Sequence, residues 1–439
     1  MKKVFVLVSV LMLLLVPFTS LAGEESGTYK DINWYLDKKG NLSLEGGETV
    51  YANGPWLAYG KDIKTITVGD GITLIKSNAF VDLKNLKSVT LGKDVITIED
   101  DGFSSCKNLK TLILLGEKTI IRGKSFYSSA FTELILPENS NYIITNNCVL
   151  SKDGETLIYC LGGKNVNIPD GVKQIQSGAF WCNQNVVTVT LPASLTMLSE
   201  SAFGNCDKLK NITIPDTVQL FEENAFWDCY SLENVVFQGE HITISGLWTF
   251  GGCSKLKSVV LPAATFKCDN NGRNTSSFMH CKNLQMFVFS EGTKEIPGCF
   301  FDSCYKLQDV YIPSSVKKIN DNAFSREMKK LVIRCIEGSY AEQYAKEFGY
   351  KYKYYIPVQS ISLTDTLLSL KKGKQASLKQ TLEPSNVTIK DVMWFSTNES
   401  VATVNKGKVK TCGAGECDII CQAMDGSGVR SVCHIVVEE

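Results

Sequence analysis

Histidine is nearly missing from this chain: there are three in 439 residues, His241, His280 and His434, far apart in sequence. No HExxH, GxSxG, P-loop or dinucleotide fingerprint occurs either, so the sequence offers no ground for a zinc hydrolase, a serine hydrolase or a nucleotide-dependent enzyme. An excess of one charge is absent as well. Lys and Arg number 46, Asp and Glu also 46, and they are interspersed, so electrostatics points to neither nucleic acid nor a membrane surface. His280 beside Cys281 suggests a catalytic dyad only on paper, because adjacent residues on a coil point different ways. The carboxylate pairs Asp100-Asp101 and Glu222-Glu223 fall in turns and read as solvated. No enzymatic activity, cofactor or metal is expected.

Long apolar runs are scarce too. The one conspicuous run, Val4 to Phe18, follows Lys2 and Lys3, is broken at Pro17 and precedes Ser20-Leu21-Ala22. This is the pattern of a cleaved secretory signal over residues 1–22. The run is shorter than the roughly 20 residues a spanning helix needs, no Cys follows it to take a lipid, and no second apolar segment appears. The expectation is a secreted or extracellular protein, with cell-surface association as the alternative and no membrane insertion after signal cleavage.

What the chain has in abundance is a repeat of about 23 residues. Aligned on its Phe, the unit runs Phe, then Cys three or so residues on, then Leu, then Val or Ile, then Leu or Ile, and often Pro. It is clearest at Phe203 to Ile214 and recurs around Phe226, Phe250, Phe278, Phe301 and Phe324. The Leu-x-x-Val-x-Leu segment alternates as a short strand should, and Pro137, Pro169, Pro192, Pro215, Pro262 and Pro313 end it by withholding an N–H. A second apolar pair, as in Val95/Ile98, Val172/Ile175, Val218/Phe221 and Val316/Ile319, closes the coil on the opposite wall. Such a unit cannot bury its apolar side alone. The coils must stack into a solenoid of about a dozen, roughly 55 Å long at the strand spacing of a sheet.

The ends of the stack have their own signals. Trp34 to Leu44 alternates about a Lys-Lys-Gly turn and precedes Gly54-Pro55-Trp56, predicting a cap with a hairpin over 23–62. Tyr340, Tyr344, Ala345 and Phe348 share one helical face between Ser339 and Gly349, predicting a short capping helix at about 339–348. Asp153-Gly154 between apolar runs predicts a hairpin inserted at about 141–160. The solenoid is therefore placed at 63–352, with Lys267 to Thr275 lengthening one loop. After a linker at 353–357 the period disappears. Short alternating runs around Val392-Met393-Trp394, Val401 to Val404 and Gly407 to Val409 predict a small β-sandwich over 358–439, with Trp394 in its core.

The pattern Ala-Phe-x-x-Cys-x-x-Leu-x-x-Ile-x-Ile-Pro-x-x-Val, the opening Trp-x-Leu-Asp-x-x-Gly-x-Leu and the closing Gly-Ser-Tyr-Ala-x-x-Tyr-Ala resemble the BspA-type leucine-rich repeat family from about Asn33 to Tyr354. The later Trp-x-Ser-x-Asn-x-x-x-Ala-x-Val run resembles bacterial immunoglobulin-like group 2 domains. Leu83, Ser129 and Asn183 depart from the repeat by replacing the Cys. The resemblance implies a non-enzymatic, adhesin-like surface protein that engages a host or microbial surface protein, or else a polysaccharide, with the immunoglobulin-like domain as a spacer or wall-proximal module.

Sixteen cysteines in a secreted chain raise the question of disulfides. Cys106, Cys206, Cys229, Cys253, Cys281 and Cys304 occupy one repeat position and should form a ladder inside the coils. In-register parallel side chains are close enough to bridge but poorly directed for it, so buried thiols acting as small hydrophobes are the favoured reading. Cys412, Cys417, Cys421 and Cys433 cluster in the last domain, with Cys417 and Cys421 on one strand face, but the spacing lacks a CxxC pair and only His434 is near. What is left for recognition is the surface. The outward strand positions Thr213, Val236, Val260, Val288 and Tyr311, flanked by Lys210 and Lys257, form a β-branched strip with a Lys edge suited to a protein partner; the alternative is ordinary strand propensity. Trp181, Trp227 and Trp248 at the coil corners could stack on sugars or on neighbouring coils.

Overall fold

The computed structural model describes residues 25–129, 131–267 and 276–439. The expected signal segment and most of the lengthened loop lie outside the described residues. A β-solenoid of about 13 turns leads into a β-rich immunoglobulin-like region.

The wall built from the Leu-x-x-Val-x-Leu segments is parallel and paired one coil to the next. Ile212 faces Val235 and Thr213 faces Val236, for example, and Ser258 to Leu261 pairs residue by residue with Met286 to Phe289. Alternation does the rest: along Asn211–Ile214 the side chains read exposed, buried, exposed, buried. The opposite wall is made of two-residue strands such as Leu74–Ile75, Gln174–Ile175 and Leu220–Phe221. The inserted segment joins this second wall. Tyr142–Thr145, Cys148–Ser151 and Thr156–Cys160 form an antiparallel meander whose last strand pairs parallel with Gln174–Ile175.

Between the walls the repeated Phe forms a stack along the axis, with ring centroids 4.6 Å apart for Phe180 and Phe203 and 5.1 Å for both Phe203–Phe226 and Phe226–Phe250. Trp56, fully buried, starts the N-terminal stretch of this stack against Phe80 and donates its indole N–H to the Ala79 carbonyl at 2.9 Å.

The Cys ladder lies beside the Phe stack. Each thiol donates to the carbonyl of a Phe in the coil before it: Cys106 to Phe80 at 3.1 Å, Cys206 to Phe180 at 3.1 Å, Cys229 to Phe203 at 3.0 Å, Cys253 to Phe226 at 3.3 Å, Cys281 to Phe250 at 3.2 Å and Cys304 to Phe278 at 3.0 Å. Burial pushes the Cys106 and Cys229 thiols up to about 12, which keeps the proton these bonds require. Ser129 makes the same bond with oxygen, donating to the Phe103 carbonyl at 2.7 Å. Seven of the coils thus place a small buried donor at the ladder position, whereas Leu83 fills it with apolar bulk and Asn183 accepts there from the Asn185 and Val186 N–H groups.

Both caps are visible. Ile32–Leu36 and Asn41–Glu45 form the expected antiparallel hairpin, with Glu25–Tyr29 added outside and the inner strand passing into the parallel stack. The helix Tyr340–Phe348 is capped by Ser339, whose hydroxyl accepts from the Glu342 N–H, and ends at left-handed Gly349 with φ 73°. In the last domain Gly415–Ala423 pairs antiparallel with Arg430–Glu438 and with Val392–Ser396, opposite a three-stranded sheet of Gln375–Ser377, Lys408–Thr411 and Ala402–Asn405. Trp394 is half-buried and touches both apolar clusters of this sandwich.

Candidate functional site

The outward face of the principal sheet divides in two. In the earlier coils it is open: Thr67, Thr90 and Ile113 are half-exposed, Thr190 and Thr213 exposed. In the later coils Val236 and Val260 are half-buried, Val288 is fully buried and Tyr311 is 7% exposed. Expecting Val288 and Tyr311 to be exposed strand residues is therefore incorrect, and the physical reason lies in the chain itself. The immunoglobulin-like domain folds back onto this face.

Its docking is specific. Val288 and Tyr311 pack with Tyr355 and Ile389, against Val260, Met286 and Ile336, and the Tyr311 and Tyr355 rings meet edge-on at 5.3 Å. Met393, Gln422 and Met424 of the last domain face Val236, Phe237, Val260 and Pro262 across a crevice of about 10 Å³, room for about one water. The Glu291 N–H donates to the Gly426 carbonyl at 2.7 Å. Gly426, at φ 80°, lies so close that an added Cβ would stand 2.6 Å from the Phe289 carbonyl oxygen. Arg430 donates to the Gln238 carbonyl at 2.5 Å, sits 3.0 Å from the Glu240 carboxylate and lies over the Phe395 ring at 5.8 Å.

Residues 353–357 are likewise not a free linker. Lys351–Tyr354 is the last strand of the principal sheet, Tyr355 is buried in the interface, and the Val358 N–H is held by the fully buried Asp425 carboxylate at 2.5 Å. The domain expected to act as a spacer lies against the solenoid. None of Met393, Gly426, Met424 or Arg430 was recognised from sequence. The available signal was the change along the outward positions from Thr to Val and Tyr, at the coils where the docking occurs.

Lys210 and Lys257 are exposed at the edge of the face. The open part also carries an apolar residue that the sequence reading omitted: Ile135 is 43% exposed and directly beside Ile113, which that reading places outward.

The corner aromatics form a row. Tyr127 lies 5.4 Å from Trp181, Trp181 is 6.1 Å from Trp227, and Trp227 is 6.5 Å from Trp248. Trp181 reaches across the intervening coil over Gly204, where an added Cβ would come within 2.2 Å of the indole. The rings thus pack along one another from coil to coil, and all three tryptophans stay half-exposed.

Of the remaining titratable groups, His434 stands between Asp418, 2.8 Å from its Nδ1, and Glu416, 3.6 Å from its Nε2, and the hydrogen bond to Asp418 raises its pKa. His280 is exposed while the neighbouring Cys281 is buried with its thiol on the Phe250 carbonyl, so the two point apart. The Glu222 carboxylate accepts from the Glu200 N–H at 3.0 Å, fastening one turn to the next instead of being free in solvent. Cys417, Cys421 and Cys433 are buried free thiols and Cys412 is an exposed one. Among the described residues no group of three or more His, Cys, Asp and Glu could hold a metal. A hollow of about 220 Å³ on the second wall is lined by Gln219, His241, Thr243, Thr265 and Gly292, with His241 its only titratable group.

A stacked parallel solenoid with one open sheet face and a docked sandwich domain defines a leucine-rich repeat protein carrying an immunoglobulin-like module. The chain belongs to the BspA type leucine rich repeat family, whose profile matches residues 57–152, 153–272 and 271–331 in 6 copies. The bacterial Ig-like domain (group 2) matches residues 357–433. Among solved structures the chain is similar to a leucine-rich repeat protein from Eubacterium ventriosum, at 21% identity over 69% of this chain and 94% of that one, TM-score 0.47. It is also similar to the pneumococcal vaccine antigen PcpA, at 12% identity over 76% and 99%, TM-score 0.45. A leucine rich cell surface protein from Faecalibacterium prausnitzii aligns at 21% identity over 73% and 96%, TM-score 0.31. No curated protein matches the chain significantly. BspA-type repeat proteins are bacterial surface proteins, a role consistent with protein interaction, and both families are typically non-enzymatic. Among the described residues no helix is long and apolar enough to cross a membrane.

Proposed function

We propose that this is a non-enzymatic secreted or cell-surface interaction protein, adhesin-like, that binds a host or microbial surface protein through the open part of its principal sheet. The observation carrying this reading is the pair Ile113 and Ile135, apolar and side by side on a face that stays uncovered, in line with Thr90 before it. An exposed apolar pair with a polar surround is what a protein interface offers at its centre. Thr190, Thr213 and Lys210 extend the same face, and Lys257 borders it where the docked domain begins. Val236, Val260, Val288 and Tyr311 take part only if the last domain leaves.

The test is affinity capture by the full chain from host and bacterial surface extracts, with Ile113→Asp/Ile135→Asp and Thr213→Asp as variants. Loss of one captured protein with both variants, at unchanged melting temperature, is the expected outcome. Capture that persists with both places the interface elsewhere and sinks the reading.

A further inference from the structure

Several lysines on the sides of these coils have carboxylates from a neighbouring coil or strand. Lys76 pairs with Glu99 at 2.8 Å, Lys93 with Asp70 at 3.1 Å, Lys173 with Glu155 at 2.5 Å and Lys318 with Glu295 at 2.6 Å. The turns leading into the principal wall in the first coils bring lysines into register on three successive coils. Each carries two exposed lysines: Lys61 and Lys64, Lys84 and Lys87, Lys107 and Lys110. Of these, only Lys84 has a carboxylate within ion-pair reach among the described residues, Asp82 at 3.6 Å.

The backbone fixes them as two columns. The Lys87 N–H donates to the Lys64 carbonyl at 2.7 Å, and the Lys110 N–H to the Lys87 carbonyl at 2.8 Å. The Asn85 amide donates to the Lys61 carbonyl at 2.6 Å and the Asn108 amide to the Lys84 carbonyl at 2.6 Å, locking the second column. Successive lysines therefore repeat at about the 4.8 Å strand spacing. The tip of the cap hairpin brings Lys38 and Lys39 to the same edge, both exposed. Like charges stacked in register repel, in a chain with acid enough to pair them, since its formal net charge is zero.

We propose that this lysine grid is a binding site for a linear anionic polysaccharide, laid along the solenoid axis beside the sheet. The chemistry around the grid favours a polysaccharide over an acidic peptide or a nucleic acid. The large apolar side chains of these turns, Ile63, Leu86 and Leu109, are buried, so a peptide finds no apolar anchor and a base no stacking partner there. Ser88 lines the strand next to the lysines and offers its hydroxyl to a hydroxyl-rich chain, while Thr65 and Thr111 on either side donate theirs to Asn41 Oδ1 and to the Glu133 carboxylate, each at 2.7 Å, and keep only acceptor capacity. Lysine ammoniums on flexible stems suit repeated charge without fixed bidentate geometry. The site is separate from the Ile113–Ile135 face and does not depend on the protein-binding reading.

The experiment measures binding of the full chain to dextran sulfate, hyaluronan, neutral dextran, polyglutamate and a DNA oligonucleotide over a salt series. Expected are binding to dextran sulfate or to hyaluronan that weakens steeply with salt, no binding to neutral dextran, and weaker binding to polyglutamate and DNA. Retention of dextran sulfate alone assigns a sulfated chain, retention of both a uronate-bearing one. The Lys64→Gln/Lys87→Gln/Lys110→Gln variant should lose about tenfold or more in affinity with a shallower salt slope. Lys152→Gln/Lys317→Gln/Lys379→Gln, which removes the same charge from scattered exposed sites, should stay within about twofold. Equal loss in both triples, unaltered binding by the grid variant, or polyglutamate or DNA binding as tightly as the polysaccharides overturns the proposal. Equal melting temperatures of both triples make the reading one of binding and not of folding.

Discussion

The same strand position has two meanings in this molecule. At Thr90 in the early coils it faces solvent, and at Val288 in the late coils it is fully buried beneath the last domain. Both lie on the same wall of the solenoid, in parallel ladders of the same repeat position and pairing, so local structure cannot separate them. What separates them is a partner 100 residues or so away in sequence, brought in by the Tyr355 to Val358 crossing. A β-branched residue pointing out of a solenoid is thus no evidence of an external partner until the chain's own domains have been placed.

The largest test of the contrast is charge at the two positions. Val288→Asp should cost the docked state about 3 kcal/mol or more, because the carboxylate would be buried without a partner. Small-angle scattering should report a longer particle and trypsin a new cut near Lys351 to Lys353. Thr90→Asp should change stability by no more than about 0.5 kcal/mol. Equal effects at the two positions would remove the distinction. A smaller effect is expected of Gly426→Val, which combines a left-handed φ with a Cβ 2.6 Å from the Phe289 oxygen; about 2 kcal/mol should be lost from docking, leaving the melting of the isolated-looking early coils unchanged.

How far the fold could be read in advance follows the same division. The coils, the helix from Tyr340 with its Ser339 and Gly349 caps, and the Cys ladder are local or periodic features, and periodic burial writes itself into residue spacing. The docking depends on surfaces from two domains fitting each other, which leaves only faint traces in either. Ser129 was a trace passed over: treated as a departure from the Cys pattern, it makes the same bond to a Phe carbonyl.

That equivalence yields an interior control for the comparison. Cys106→Ser and Cys304→Ser, one in each half, should each cost within about 1 kcal/mol, since a hydroxyl can donate where the thiol did. Cys106→Ala and Cys304→Ala remove the donor and should cost about 1 to 2 kcal/mol by denaturant titration. Matching values in the two halves would confine the difference between them to the outer face.

The smallest expected effect is acidic. Lys346, the Gly338 N–H and the Tyr354 hydroxyl hold the Glu342 carboxyl at about 2, below its ordinary 4.5. A carboxylate depressed in the folded state stabilises above its unfolded value, and that contribution fades as pH falls from about 4.5 toward about 2. Amide exchange in the capping helix should quicken in that window, and Glu342→Gln should flatten the dependence there. The early coils carry lowered carboxyls of their own, Asp70 beside Lys93 and Glu99 beside Lys76, so Glu342→Gln should leave the acid response there unchanged while flattening it in the capping helix.

The docked domain also changes how the molecule would carry a load. A one-dimensional stack is most compliant at its ends, where a coil has a neighbour on only one side. Here the contacts of Arg430, Gly426 and Met393 reach from Glu240 across to Tyr311. Tension entering at the C-terminal strand is spread over this patch instead of passing through a single peptide at residue 355. The join is a splint, so the final coils and the sandwich turn as one lever, while whatever suppleness the molecule has belongs to the other end.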